Sequence, residues 1–161
     1  MRQVINFRFF NIFGPWQRPD HDYAAVIPKW IWKLMNGDHR IEVFGDGSQT
    51  RDFTYIDSVT EILIDGMESQ VNHPTPLNLA FGDQISLIRL VEILQDYFPK
   101  LEVDFREPRV GDVINSQNDP SELNRVFPSV NRIEFEPAIH RTIQWFEKYG
   151  ERIANGPKVL D

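Results

Sequence analysis

The sequence predicts an α/β fold, and three observations carry that reading. Short runs of β-branched and aromatic residues alternate with helical periodicities along the chain. Turn formers, chiefly Gly and Pro, stand at the junctions between them. The 161 residues mix 41% hydrophobic with 25% charged side chains and show no internal repeat or low-complexity tract, as one ordinary globular domain would.

Val4–Phe13 is dense in apolar and aromatic residues and is stopped by Gly14-Pro15, so it reads as a buried strand. Residues 16–22 are polar and include Pro19, which makes them a loop. A helix should follow, with Pro28 in its first turn, Ile27, Ile31, Leu34 and Met35 on one face, and Gly37 past its end. Ile41–Phe44 is a short strand running into the turn Gly45-Asp46-Gly47. Asp57 is placed to cap a second helix, whose Val59, Ile62, Leu63 and Met67 are expected to face inward. Leu77–Phe81 reads as a strand. Ser86 reads as an N-cap, with Ile85 and Leu90 spaced for a hydrophobic staple. Glu102–Arg106 forms a strand with Val103 and Phe105 on one face, Asp119-Pro120 opens a short helix, and Ile139, Ile143 and Phe146 mark the last one.

Composition excludes several functions. With no Cys there is no disulfide, thiolate zinc site, iron–sulfur cluster or cysteine nucleophile, in keeping with a reducing cytoplasm. No apolar run approaches the ~20 residues of a membrane span, and the opening MRQVINFRFF does not read as a signal peptide. Seventeen Lys+Arg against 24 Asp+Glu give a net charge of −7, which argues against a nucleic-acid partner. The expectation is a cytoplasmic protein with neither a membrane nor a nucleic-acid partner.

Common catalytic signatures are missing. Gly45-Asp46-Gly47-Ser48-Gln49-Thr50 begins like G-x-G-x-x-G but carries Thr at the third glycine and has no helix directly behind it, so it reads as a tight turn. There is no Walker A loop and no G-x-S-x-G elbow. The four histidines are scattered, none four residues from another, which speaks against a metal site. Asp20-His21-Asp22 reads equally as a cation-binding triplet or a polar loop tip.

The informative residues are polar ones where strands end and helices begin. Asn11 interrupts an apolar strand and must find hydrogen bonds, from neighbouring backbone or from a ligand. Arg51 and Arg109 each sit in a short polar string. Two such arginines can fork around a diphosphate, although singly each serves as well in a surface ion pair. A helix N-terminus near Ala25–Pro28 would add free N–H groups for the same anion.

Taken together, the strings resemble a known family. Arg8-Phe9-Phe10-Asn11-Ile12-Phe13-Gly14-Pro15 is similar to the R-[YF]-F-N-[VI]-[YF]-G-P strand of the NAD-dependent nucleotide-sugar epimerases and dehydratases, the extended short-chain dehydrogenase/reductase enzymes that include UDP-glucose and UDP-glucuronate 4-epimerases. In order there follow residues 23–29, then Phe44 through Asp57 with its Arg51-Asp52-Phe53 core, then Leu77-Asn78-Leu79-Ala80, Arg109-Val110-Gly111-Asp112-Val113 and Trp145-Phe146. The resemblance spans about residues 5–148. It implies a small mixed α/β substrate-binding lobe, the C-terminal half of such an enzyme, with the N-terminal Rossmann lobe missing.

By the resemblance, Asn11 touches the sugar-diphosphate, and Ala25, Val26 and Ile27 meet phosphate or base. Val43 and Phe44 line the base pocket, Arg51 and Arg109 neutralise the diphosphate, Asp112 bonds the ribose, and Asn78 joins the substrate-binding set. The parent chemistry, an isomerase or lyase reaction, uses NAD and a Tyr-x-x-x-Lys pair. Yet Ile27, Val59, Leu101 and Ile153 stand four residues beyond Tyr23, Tyr55, Tyr97 and Tyr149, and the glycine-rich NAD motif is absent as well. The chain alone is therefore expected to bind no NAD and to be inactive, with no catalytic residue of its own. Trp16 replaces a frequent Arg and Val110 a usual Pro, which blurs sugar specificity. Two alternatives stay open: a split-enzyme subunit that docks a separate NAD-binding chain, and a non-catalytic sugar-nucleotide module. The lobe without its mate should also expose an apolar patch, with Val4, Ile5, Phe7 and Ile62 as candidates, and so self-associate.

Overall fold

The computed structural model describes residues 4–20 and 24–154. Its strands are β1 (Phe7–Phe9), β2 (Ile12–Phe13), β3 (Arg40–Phe44), β4 (Thr50–Arg51), β5 (Thr54–Tyr55), β6 (Leu77–Leu79), β7 (Ile85–Ser86), β8 (Glu102–Arg106) and β9 (Asn115–Ser116). Its helices are α1 (Val26–Met35), α2 (Ile56–Glu68), α3 (Leu87–Tyr97), α4 (Ser121–Val126) and α5 (Phe135–Ala154). β1 pairs with β6, β2 with β5 and β3 with β8, all parallel, and β4 lies between antiparallel β7 and parallel β9. The predicted α/β alternation is the observed one.

Two apolar clusters hold these layers together. The larger joins α1, β3, α3 and α5 through Ile31, Ile41, Leu90, Leu94, Ile139 and Phe146. The smaller sits under β1 and β6, where Val59, Ile62, Leu77, Leu79, Leu123 and Phe127 meet. Local signals behave as the chemistry requires. The Ser86 hydroxyl accepts the Arg89 N–H at 3.0 Å and starts α3. Gly37, at φ +83, follows the C-cap of α1.

Five expectations need correcting. The first strand is not continuous. It breaks between β1 and β2 at Asn11, whose φ of +33 turns the chain, and Arg8 and Phe9 are exposed because β1 pairs on one side only. Asp57 does not cap α2: Tyr55 holds the cap position, and Asp57 lies exposed in the first turn, where its charge complements the helix dipole. On that helix Val59 and Ile62 are buried, but Leu63 and Met67 face outward, since the inward stripe is narrower than the apolar positions suggested. Phe105 shares a face with Val103 yet is exposed, because this end of β8 opens into a cleft. The apolar-patch candidates shift accordingly. Ile62 is completely buried, Ile5 and Phe7 pack on the smaller cluster, and of the four only Val4 is exposed. Among the described residues no helix is long and apolar enough to cross a membrane.

Candidate functional site

Two recesses meet on one side of the molecule. The larger is a cleft of about 920 Å³ at the ends of β3 and β8, walled by Phe44, Gln49, Phe105, Arg106, Arg109 and Asp112. The smaller, about 200 Å³, lies between the Asn11 bend and the start of α1, lined by Asn11, Ala25, Val26, Ile27 and Arg51 together with Phe53 and Leu87. They share a wall: Arg51 Nη2 donates to Asp112 Oδ1 at 2.8 Å, and Arg51 Nη1 donates to the carbonyls of Val113 at 2.6 Å and Thr50 at 2.8 Å.

Each part is placed by local structure. β3 delivers Phe44 to the cleft, where Gly45 N–H bonds the Arg106 carbonyl at 2.9 Å and the Gln49 amide donates to the Phe44 carbonyl at 2.7 Å. Both Gly45 and Gly47 take φ +77, a conformation glycine adopts without a Cβ penalty, and a Cβ at Gly47 would lie 2.7 Å from Ile88. The Arg109 guanidinium lies over the Phe44 ring, 3.7 Å from its centroid. At the smaller recess Ala25 provides no side-chain cap and the first turn of α1 holds no acid, so its leading N–H groups are left for an anion. Asn11 donates Nδ2 to the Asp52 carbonyl at 3.1 Å.

The recesses bring together eight of the ten sequence-derived site residues: Asn11, Ala25, Val26, Ile27 and Arg51 in one, Phe44, Arg109 and Asp112 in the other. Two stand apart. Val43 is fully buried in the larger core, because alternation along β3 turns its side chain away from the Phe44 side, so it does not line the cleft. Asn78 on β6 donates to Asn118 Oδ1 at 2.7 Å and lines neither recess.

Sequence reading missed Asp52. It is completely buried, with Oδ2 accepting the N–H groups of Gly82 at 2.9 Å and Asn118 at 3.2 Å, while Oδ1 has no partner. Desolvation raises its pKa above the ordinary carboxylate range, against the opposing pull of those N–H donors. The signal available was an acid directly before the buried run Phe53-Thr54-Tyr55. Also missed were Phe105, Val113 and Ile114, whose apolar side chains stand exposed at the cleft.

The glycine turn after β3 does not fit a dinucleotide. The Gly45–Gly47 turn leads from β3 into β4 instead of a helix, and its second glycine packs on Ile88. Among the described residues no group of three or more His, Asp or Glu side chains could hold a metal ion. Of the Asp20-His21-Asp22 triplet, His21 and Asp22 lie outside the described residues.

Known proteins match the chain in sequence and in fold. The NAD dependent epimerase/dehydratase family matches residues 2–80. The UDP-N-acetyl-alpha-D-glucosaminuronate decarboxylase of Bacillus cytotoxicus is 30% identical over 151 residues, 88% of this chain and 45% of that protein. The UDP-glucuronate 4-epimerase of Thermodesulfobacterium geofontis is 30% identical over 148 residues, 91% of this chain and 44% of that one. Among solved structures, the UDP-N-acetylglucosamine 4-epimerase from Methanobrevibacter ruminantium, in complex with UDP-N-acetylmuramic acid, superposes with a TM-score of 0.78 at 35% identity. That superposition covers 89% of this chain and 46% of the other. The chain thus spans rather less than half the length of these relatives. The sequence places residues 2–80 in the NAD-dependent epimerase/dehydratase family, and most of the rest of the chain follows the same nucleotide-sugar enzymes in sequence and fold.

Proposed function

We propose that this chain is the nucleotide-sugar-binding portion of an epimerase/dehydratase-type enzyme, and that its ligand is a UDP-linked sugar bearing a carboxylate. The observation that carries the reading is the shared wall at Arg51 and Asp112. A cleft with an aromatic wall suits a base, Arg109 on that wall and Arg51 where the recesses join suit a diphosphate, and the small recess suits a hexose. In a protein of net charge −7, locally placed cations are what an anionic ligand needs. The two curated relatives act, by their names, on UDP-linked uronic acids, which favours a uronate over a neutral sugar.

Turnover needs groups beyond those of this chain, because no tyrosine here has a lysine four residues on. Calorimetry with UDP, UDP-glucose and UDP-glucuronate tests the binding reading. The expected order is UDP-glucuronate tightest, with Arg51→Ala weakening all three. No binding of UDP would sink it, and so would turnover of a UDP-sugar by the chain with NAD alone.

An exposed apolar set favours a second element of the reading. Phe9 is 54% and Met67 70% exposed, with Val4, Leu63 and Ile64 also outward. Parallel strands are normally covered on both faces, yet β1 and β6 form a sheet of two. This surface is where the remaining length of the relatives packs, from the same polypeptide or from a separate chain. Co-expression with an NAD-binding lobe of a relative tests it: co-purification is expected, and its loss in Met67→Lys with Phe9→Lys.

A further inference from the structure

Phe44 and Arg109 differ in how firmly they are held. Phe44 is fixed, with its backbone bonded on one side through Gly45 to Arg106 and on the other to the Gln49 side chain. Arg109 is exposed on the segment between β8 and β9, two residues before Gly111, which has φ +84 and no atom within 4 Å of where a Cβ would lie. The 3.7 Å between guanidinium and ring leaves no room for a third planar group. A base that stacks on this face of Phe44 must therefore displace Arg109.

We infer that Arg109 is a self-stacking latch: in the free protein its guanidinium occupies the Phe44 face that the nucleobase takes when bound, and base entry releases Arg109 to the phosphates. This rests on the nucleotide reading of the cleft given above. The exchange is nearly balanced on the ring face, because one planar π contact replaces another, so the net gain comes from the charge-assisted bonds Arg109 then makes to phosphate oxygens. The latch thus selects for nucleotides over nucleosides: a ligand with a base and no phosphate unseats Arg109 without giving it a new partner.

Titration of the full chain with uridine and with UDP, followed by NMR and calorimetry, tests this in wild type and Arg109→Ala. Arg109 is exposed, so the variant is expected to fold. In Arg109→Ala, uridine should bind about two- to fivefold more tightly, since the latch is gone, while UDP binds roughly tenfold more weakly. In wild type the Arg109 side-chain NH resonance should carry a ring-current shift that Phe44→Leu abolishes and UDP removes. Unchanged or weaker uridine binding in Arg109→Ala, with UDP still binding wild type, overturns the latch and leaves the nucleotide site standing. Failure of wild type to bind either ligand overturns the nucleotide reading, and the latch with it.

Discussion

Arg51 and Asp112 hold each other across 61 residues of sequence, Nη2 to Oδ1 at 2.8 Å, and the pair stands where the two recesses join. Both side chains are partly solvated, so the pair contributes only about 0.2–1 kcal/mol to the fold. Arg51→Ala should therefore shift the unfolding midpoint little while lowering UDP affinity on the order of tenfold or more. Asp112→Asn should keep the fold and weaken UDP less, since it removes a carboxylate near the expected phosphates. Parallel thermal melts and titrations check the split, and a large stability loss without an affinity loss would make the pair merely structural.

Asp52 gives a pH dependence of opposite sign to that of Asp38, Asp46, Asp119, Glu122 and Glu134, whose pKa values are lowered. Its folded pKa is raised by burial, so the folded state holds its proton more tightly than the unfolded state. The contribution is therefore full below the ordinary Asp value near 3.8 and is lost as pH rises through the folded pKa. Urea unfolding of wild type and Asp52→Asn across pH 4 to 7 should show wild type losing ground to the variant as pH rises. A difference independent of pH would mean that Asp52 is not the titrating group.

His73 and Glu122 pair at 2.9 Å, tying the segment before β6 to α4. The His73 pKa is raised, first by its bond to the Thr75 carbonyl and then by Glu122, while the Arg125 and His73 bonds hold Glu122 down to about 2. The histidine's contribution is present below its unfolded value near 6.5 and fades as pH climbs through the raised value. That of Glu122 is present above about 4.5 and fades as pH falls toward 2. The pair thus works between those limits. His73→Gln should lower the melting temperature at pH 5.5 and leave it almost unchanged at pH 9, as scanning calorimetry can show.

Helix α2 separates stability from association. Ile62 is fully buried in the smaller cluster, and Ile62→Ala should cost about 2–5 kcal/mol by urea unfolding. Met67, five residues on, is outward, and Met67→Lys should leave stability within about 0.5 kcal/mol while reducing any concentration-dependent association in light scattering.

Local chemistry made much of this legible. The Ser86 cap, the Glu102–Arg106 strand and the Gly45–Gly47 turn depend on neighbours in sequence, and they stand where residue types put them. What escaped depends on distant partners. Leu63 and Met67 turn outward while Val59 and Ile62 of the same helix meet Leu77, Leu79 and Phe127, partners distant in sequence. The pairing of Arg51 with Asp112, and the Asp52 bonds to Gly82 and Asn118, join segments 30 to 66 residues apart. Val43 shows the same limit at the site, because alternation says it opposes Phe44 but not which of the two meets the cleft.

The bend at Asn11 has a consequence for how the gene can change. Phe9 is in register with Leu79 and Ile12 with Thr54, and only two residues separate these ladders. One extra or missing residue there would turn every side chain of one strand to its wrong face, pulling Phe7 from the smaller cluster or Phe13 from the larger. Length variation should therefore be forbidden across residues 10–11, and a one-residue insertion or deletion there should abolish cooperative unfolding in urea.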